Sequence, residues 1–299
     1  MPLQLLNDGW DYHATESERL AGELEAAAGA PIDAADLAPF ARLGVHTIGE
    51  HLADWPRARR LAERVLEGRI PDAVTAKAWA HLSIARLLAD DPAGAAEAEL
   101  SFLGASPDFR AALLEARFML VAALVGCGRA GEAIPVFRAA LALARGLGDA
   151  APARPIAVAS NNLGWEMVEA PSRTADEDAV MRLAAEAGLE FWRRCGTWMN
   201  EAGALTLRAR VANLVGEPDR ALADADQGLT VIAAGGEAPA AAAILRAVRA
   251  VALGLKGDAA GRARELAQAD ADAAAIADPG ARAFYDEQRA GIVGPAVPA

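Results

Sequence analysis

Asn161, Trp165 and Glu169 are spaced four residues apart, and Thr206, Arg210 and Asn213 follow one another at i, i+4 and i+7. On helices, each set projects from one face. An amide both donates and accepts hydrogen bonds, a guanidinium offers a rigid fork of donors to a carboxylate, and an indole adds apolar area. That chemistry suits recognition of a peptide backbone or a carboxylate. Asparagine costs helix stability relative to alanine, so Asn161 and Asn162 in mid-helix need a reason. Either they contact a ligand or they fix helix packing by local hydrogen bonds. The Thr206 hydroxyl has the same two roles open to it, a ligand contact or a bond back to its own helix. A third concentration runs from Phe191 to Glu201, with Trp192, Arg193, Arg194 and Trp198 in a chain that is only 5% aromatic. Tryptophan and arginine are favoured at binding hot spots. The alternative is core packing, which is the expectation for Trp192 and one of two readings for Trp198.

No catalytic set accompanies these residues. The four histidines, His13, His46, His51 and His81, all fall in the first third of the chain. His46 and His51 are five apart, not the i, i+4 of a helical ligand pair, and a zinc site needs three or four converging ligands, so no metal is expected. Asp90-Asp91 lacks a third carboxylate four residues on. No phosphate loop of the G-x-x-x-x-G-K-[ST] type and no G-x-S-x-G occurs. No cofactor is therefore expected. Cys195, beside Arg193 and Arg194, would be activated only if exposed. A minor reading, an all-helical enzyme, would need Glu169, Glu201 and Arg210 to line one cavity.

Composition narrows the partners. The net charge of −12 and a sequence pI near 4.9 leave no sustained basic stripe for phosphates. Arg57, Arg59, Arg60 and Arg64 are interleaved with Asp54, Glu63 and Glu67. Neither nucleic acid nor an anionic membrane surface is an expected partner. Two cysteines, no apolar leader at the N-terminus and no run long enough to span a bilayer give a cytoplasmic expectation.

The elements that must carry these residues are helices in pairs. A turn recurs as Ala53-Asp54-Trp55-Pro56, Asp90-Asp91-Pro92, Gly128-Arg129-Ala130, Gly216-Glu217-Pro218 and Gly257-Asp258-Ala259, each opening an alanine-led apolar stretch. The interval is about 37–44 residues once a degenerate fourth turn is counted, and recurrence on that scale marks a stack of supersecondary units. Between turns the apolar residues recur at i, i+3, i+4 and i+7, with no strand-like alternation. Helices are expected over roughly 15–28, 35–53, 56–67, 73–89, 92–104, 108–127, 130–147, 155–170, 176–194, 198–215, 218–234, 239–256, 259–276 and 279–290, and Gly291 to Ala299 as a flexible tail. Ala58, Ala95, Ala133 and Ala221 fall at one repeat position. His46, Ser83, Val121, Gly164, Ala209 and Ala250 fall at another, where small side chains would let helices cross closely.

Here the chain resembles the tetratricopeptide repeat family. Trp79, Leu82, Ser83 and Ala95 match its W-x2-L-G and later alanine, and Leu120, Ala133, Phe137 and Ala140 match its L, A, F and A positions. Asn161-Asn162-Leu163-Gly164 resembles the opening of the longer kinesin-light-chain-type repeat. The resemblance covers about residues 35–277. It implies an all-α solenoid of about six antiparallel hairpins in a right-handed superhelix, with 1–34 as an N-terminal segment and capping helix and 278–299 as a capping helix and tail. His46, the insertion around Pro171 to Asp178, and Arg262 depart from the pattern.

The resemblance also implies a function, a non-catalytic scaffold that binds a protein or peptide on its concave face. The expected contact residues are Asn161, Asn162, Trp165, Glu169, Thr206, Arg210 and Asn213, with Trp198 at the edge. Lys77 occupies a similar edge in the second unit. The alternative is a ligand- or peptide-sensing domain acting on a separate output protein. The apolar stretch Ala240 to Leu255 needs a cover, either the helix at 279–290 or a second copy in a homodimer.

Overall fold

The recurring turn is the best place to see how this sequence becomes structure. In the computed structural model, which describes residues 2–293, the helices are α1 (Pro2–Tyr12), α2 (Ser17–Ala27), α3 (Ala34–Gly44), α4 (Trp55–Leu66), α5 (Ala76–Leu88), α6 (Pro92–Ala105), α7 (Phe109–Gly126), α8 (Ala130–Gly146), α9 (Ala153–Glu169), α10 (Ala175–Cys195), α11 (Trp198–Leu214), α12 (Pro218–Gly235), α13 (Pro239–Leu255), α14 (Ala259–Ala274) and α15 (Pro279–Val293). No strand occurs among the described residues. None of the helices is long and apolar enough to cross a membrane.

All five recurring turns put their first residue in the left-handed region: Ala53, Asp90, Gly128, Gly216 and Gly257, with φ between 54° and 80°. In four of them the next residue donates its N–H five residues back: Asp91 to Arg86, Arg129 to Leu124, Glu217 to Ala212 and Asp258 to Leu253, at 2.7–2.9 Å. This is the bond that closes a helix whose following residue is left-handed. The same residue then begins the next helix. The Asp54, Asp91 and Asp258 carboxylates accept from the N–H groups of Arg57, Gly94 and Gly261, satisfying donors that a helix start leaves open.

The first copy differs by one residue. Asp54 N–H reaches back six positions, to Ile48, because α3 ends in a π-helical turn, Val45–His51. A π turn holds one extra residue and occurs often at functional sites. The helix expected over 35–53 is therefore α3 plus this turn.

The chain divides into two compact units, Met1–Ala151 and Pro152–Ala299. In the first, α5 packs on α6 and α7 on α8, with α3, its π turn and α4 forming the preceding pair. Small residues make these approaches close. Ala58, Ala95 and Ala133 are all buried, and the Ser83 hydroxyl donates to the Ala95 carbonyl at 2.9 Å across the α5–α6 pair. In the second unit α9 pairs with α10, α11 with α12 and α13 with α14, while α15 lies on α13. A Cβ on Gly164 would come within 2.8 Å of Leu207, and one on Gly228 within 2.7 Å of Leu245, so glycine sets these approaches. The degenerate turn is held differently: Thr174 and Glu177 make a capping box, and Arg173 bonds Asp178 and the Met167 and Ala170 carbonyls.

Two boundaries differ from the sequence reading. Residues 2–12 form a helix, α1, where none is expected; its Leu6 is buried. Gly291 to Val293 complete α15 and do not begin a flexible tail; residues 294–299 lie outside the described residues.

Candidate functional site

Of the residues singled out in the second half of the chain, the structure brings Trp165, Glu169 and Arg210 to one place. α9 and α11 pack side by side, and the Arg210 guanidinium lies over the Trp165 ring, 5.0 Å from its centroid. Arg210 is only 9% exposed. Burial pushes its pKa below the usual arginine range, and the Glu169 carboxylate, itself exposed, opposes that shift. A guanidinium so placed needs acceptors, and α15 supplies one: Arg210 donates through Nη1 to the Gln288 Oε1 at 2.8 Å.

α15 lies against this place with one face. Tyr285, 1% exposed, packs with Ala243, Ile244 and Ala273, and Ile292 bridges that cluster to the one around Ala209, Leu245 and Val248. Residues 285, 288 and 292 follow the i, i+3, i+7 spacing of a helix seated in a groove. Arg289 and Asp270 add an ion pair at 3.1 Å. α15 of the same chain thus covers the part of Ala240 to Leu255 around Ala243, Ile244, Leu245 and Val248, while Leu255 stays exposed.

The other candidates are placed elsewhere. The Asn161 backbone and Cβ lie 3.6–3.7 Å from where a Gly188 Cβ would sit, at the α9–α10 crossing, and its Oδ1 is buried without a partner. Asn162 is exposed. Asn213 donates through Nδ2 to the Val248 carbonyl at 2.9 Å, which ties α11 to α13. The Thr206 hydroxyl bonds back to the Ala202 carbonyl at 2.9 Å inside its own helix. Trp198 opens α11 with its indole against Gly235, where a Cβ would overlap the ring, and it packs on the Ala202–Ile232 cluster. Trp192 is buried. Glu201 pairs with Arg193 at 2.7 Å and lies about 13 Å along α11 from Arg210. Cys195 is exposed and donates to the Phe191 carbonyl. In the first unit Lys77 pairs with Glu115 at 2.7 Å.

The sequence reading missed a second gathering, in the first unit. The expectation that the His46–His51 spacing cannot pair side chains is corrected by the π turn. Residues five apart lie about 140° apart around an α-helix, but π winding, with its i→i+5 bonds, brings them to the same side. His46 Nε2 and His51 Nε2 are 3.2 Å apart. His13, just after α1, joins them, with ring centroids 5.0 Å from both. Glu50 Oε2 lies 2.6 Å from His46 Nδ1. Desolvation, with the His46 and His13 rings close by, pushes the His51 pKa down. No sequence signal marks this cluster: His46 stands seven residues before its turn, as Ser83 and Val121 do before theirs, and only the structure shows the π winding.

No family model matches the chain, and no curated relative matches it. Among solved structures, the crystal structure of BtubC (BKLC) from P. vanneervenii aligns over 75% of this chain and 90% of its own, at 16% identity and a TM-score of 0.44.

Proposed function

We propose that this protein is a non-catalytic scaffold that binds a protein or peptide, and that its receiving surface is the face of α11 and α13 on which α15 lies, backed by Trp165 of α9. The observation that carries the reading is the Arg210 guanidinium, buried on Trp165 and hydrogen-bonded to Gln288. A surface that already seats an amphipathic helix through a buried cation and an apolar cleft has the chemistry to seat another. A partner helix with an apolar residue at the Tyr285 position and a carboxylate at the Gln288 position would compete well. The carboxylate would give Arg210 a charged acceptor in place of a neutral amide, and charge-assisted bonds are roughly twice as strong. The resemblance of the repeats to tetratricopeptide units supports the same reading.

The test uses the full chain with Gln288→Arg and Ile292→Asp, which set a cation against Arg210 and a charge in the apolar cluster and so lift α15. A labelled peptide of residues 279–293, and its Gln288→Glu version, should bind this variant at least about tenfold tighter than wild type. Adding Arg210→Ala should abolish the gain for the Glu peptide. Equal binding to both proteins would overturn the proposal.

A further inference from the structure

The histidine cluster has the donor set of a metal site, and its surroundings fix which nitrogens face inward. His46 Nδ1 is held by the Glu50 carboxylate at 2.6 Å, and His13 Nδ1 by the Trp10 carbonyl at 2.6 Å. Both partners only accept, so each Nδ1 carries the proton and each Nε2 presents its lone pair. The His51 Nε2 lies 3.2 Å from the His46 Nε2. Two lone pairs at that distance repel unless a proton or a cation lies between them. A proton accounts for two rings; it does not account for the third. One nitrogen from each of His13, His46 and His51 lies within 4.8 Å of the others.

We propose that His13, His46 and His51 bind one divalent first-row transition ion of the zinc type through their Nε2 atoms. Zinc–nitrogen bonds of about 2.0–2.1 Å in a tetrahedron hold ligand nitrogens about 3.3 Å apart. The His46–His51 pair already has that spacing, and a His13 nitrogen lies within 4.8 Å of both. All-imidazole donors select zinc, copper or nickel over calcium and magnesium. Glu50 plays the part that carboxylates play behind metal-bound histidines, fixing the ring and raising its basicity. Gly126 of α7 leaves room for that carboxylate, since a Cβ there would come within 2.9 Å of Oε2. The fourth position faces solvent, because His51 is exposed and His13 and His46 half-exposed.

The site would also have a structural consequence. His13 belongs to the connection after α1, and the other two ligands to the π turn after α3. An ion held between them ties the N-terminal helix to the first repeat.

The test uses the full chain without a histidine tag, titrated with zinc chloride by calorimetry and with cobalt(II) by visible spectroscopy. One ion per chain is expected, with a nitrogen-only cobalt spectrum free of thiolate charge transfer. At saturating zinc the melting transition of the first unit should rise by about 5 °C or more. Each of His13→Gln, His46→Gln and His51→Gln should weaken zinc binding by about tenfold or more, and so should Glu50→Gln. His81, the only other histidine, serves as the internal control in an imidazole NMR spectrum and should not shift. His51 is exposed, so His51→Gln leaves the fold intact and keeps the test decisive if another variant unfolds. Absence of saturable zinc binding, or unchanged affinity in His51→Gln, would overturn the proposal.

Discussion

Arg210 and Gln288, 78 residues apart in sequence, meet at 2.8 Å over the face of Trp165. The bond matters because arginine is an expensive residue to bury. Its charge must be met by an aromatic face, an acceptor and a nearby carboxylate, and here it has all three in Trp165, Gln288 and Glu169. Removing one partner leaves the others poorly satisfied, whereas replacing the charge with an apolar side chain of similar length removes the demand. Arg210→Ala should therefore destabilise the α9–α11–α15 contact by about 2–3 kcal/mol, while Arg210→Met should cost under about 1 kcal/mol. Amide hydrogen exchange of α15 in the two variants measures both. Equal losses would mean that the guanidinium contacts, missing from both variants, outweigh the apolar volume that methionine restores, and would overturn this expectation.

The turns give a prediction with two signs. Ala53 and Gly128 occupy the same place in the repeat, with φ of 54° and 74°. A left-handed alanine is strained by about 1 kcal/mol and a glycine is not. Ala53→Gly should stabilise the first unit by about 0.5–1 kcal/mol, and Gly128→Ala should destabilise it by about 1 kcal/mol or more. No atom beyond its own residue and chain neighbours lies within 4 Å of a Cβ built on Gly128, so the second cost would be conformational. Urea denaturation with unchanged slope would isolate the stability change.

His81 should make the chain sensitive to acid. Desolvation first, and then the Arg42 and Lys77 charges, hold its pKa down to about 3, against about 6.5 for an exposed imidazole. A depressed histidine pKa means that the unfolded chain binds the proton first. The stability it permits is complete above pH 6.5 and is lost progressively as pH falls toward 3. His81→Asn should flatten the fall in stability between pH 6.5 and 4 relative to wild type. Carboxylates such as Glu25 and Asp72, whose pKa values are lowered by Arg57 and by Thr75, respond in both proteins and cancel in the difference. Parallel curves for the two proteins would show that His81 does not carry this effect.

The turns show what is legible in a sequence of this kind. Gly128, Gly216 and Gly257 announce a left-handed residue by type, and Pro56, Pro92 and Pro218 announce a first helical turn, so the helix pairs can be placed within a few residues. Ala53 and Asp90 do the same work without the glycine, and only their register with the other copies reveals it. Faces are legible too: Trp165 and Arg210 do meet. What periodicity cannot show is which neighbour takes a face. Asn213 reads equally well as a ligand contact or a clamp on the Val248 carbonyl, because an amide serves both. The cover provided by α15 depends on a return of the chain across α13, which no local pattern encodes. The π turn is the clearest limit. A single inserted residue moves His51 around the helix and turns an unpromising five-residue spacing into a convergent pair.

Trp198 tests whether an aromatic of the Phe191–Glu201 segment serves the core or a partner. Its indole rests where a Cβ on Gly235 would overlap the ring, and it packs beside Ala202 and Ile232. Gly235→Ala should therefore push the ring out of place and cost about 1–3 kcal/mol. Trp198→Ala should cost about 2–3 kcal/mol, less than a fully buried tryptophan because the side chain is partly exposed. The double variant decides the matter. With the indole gone, the three atoms nearest the new methyl group are gone too, so the pair should be little worse than Trp198→Ala alone, a coupling of at least about 1 kcal/mol. Exchange rates of the α11 and α12 amides measure each corner of the cycle. If Trp198 instead serves a partner, its removal would leave those amides protected, Gly235→Ala would cost the same with or without the indole, and the loss would appear only in binding.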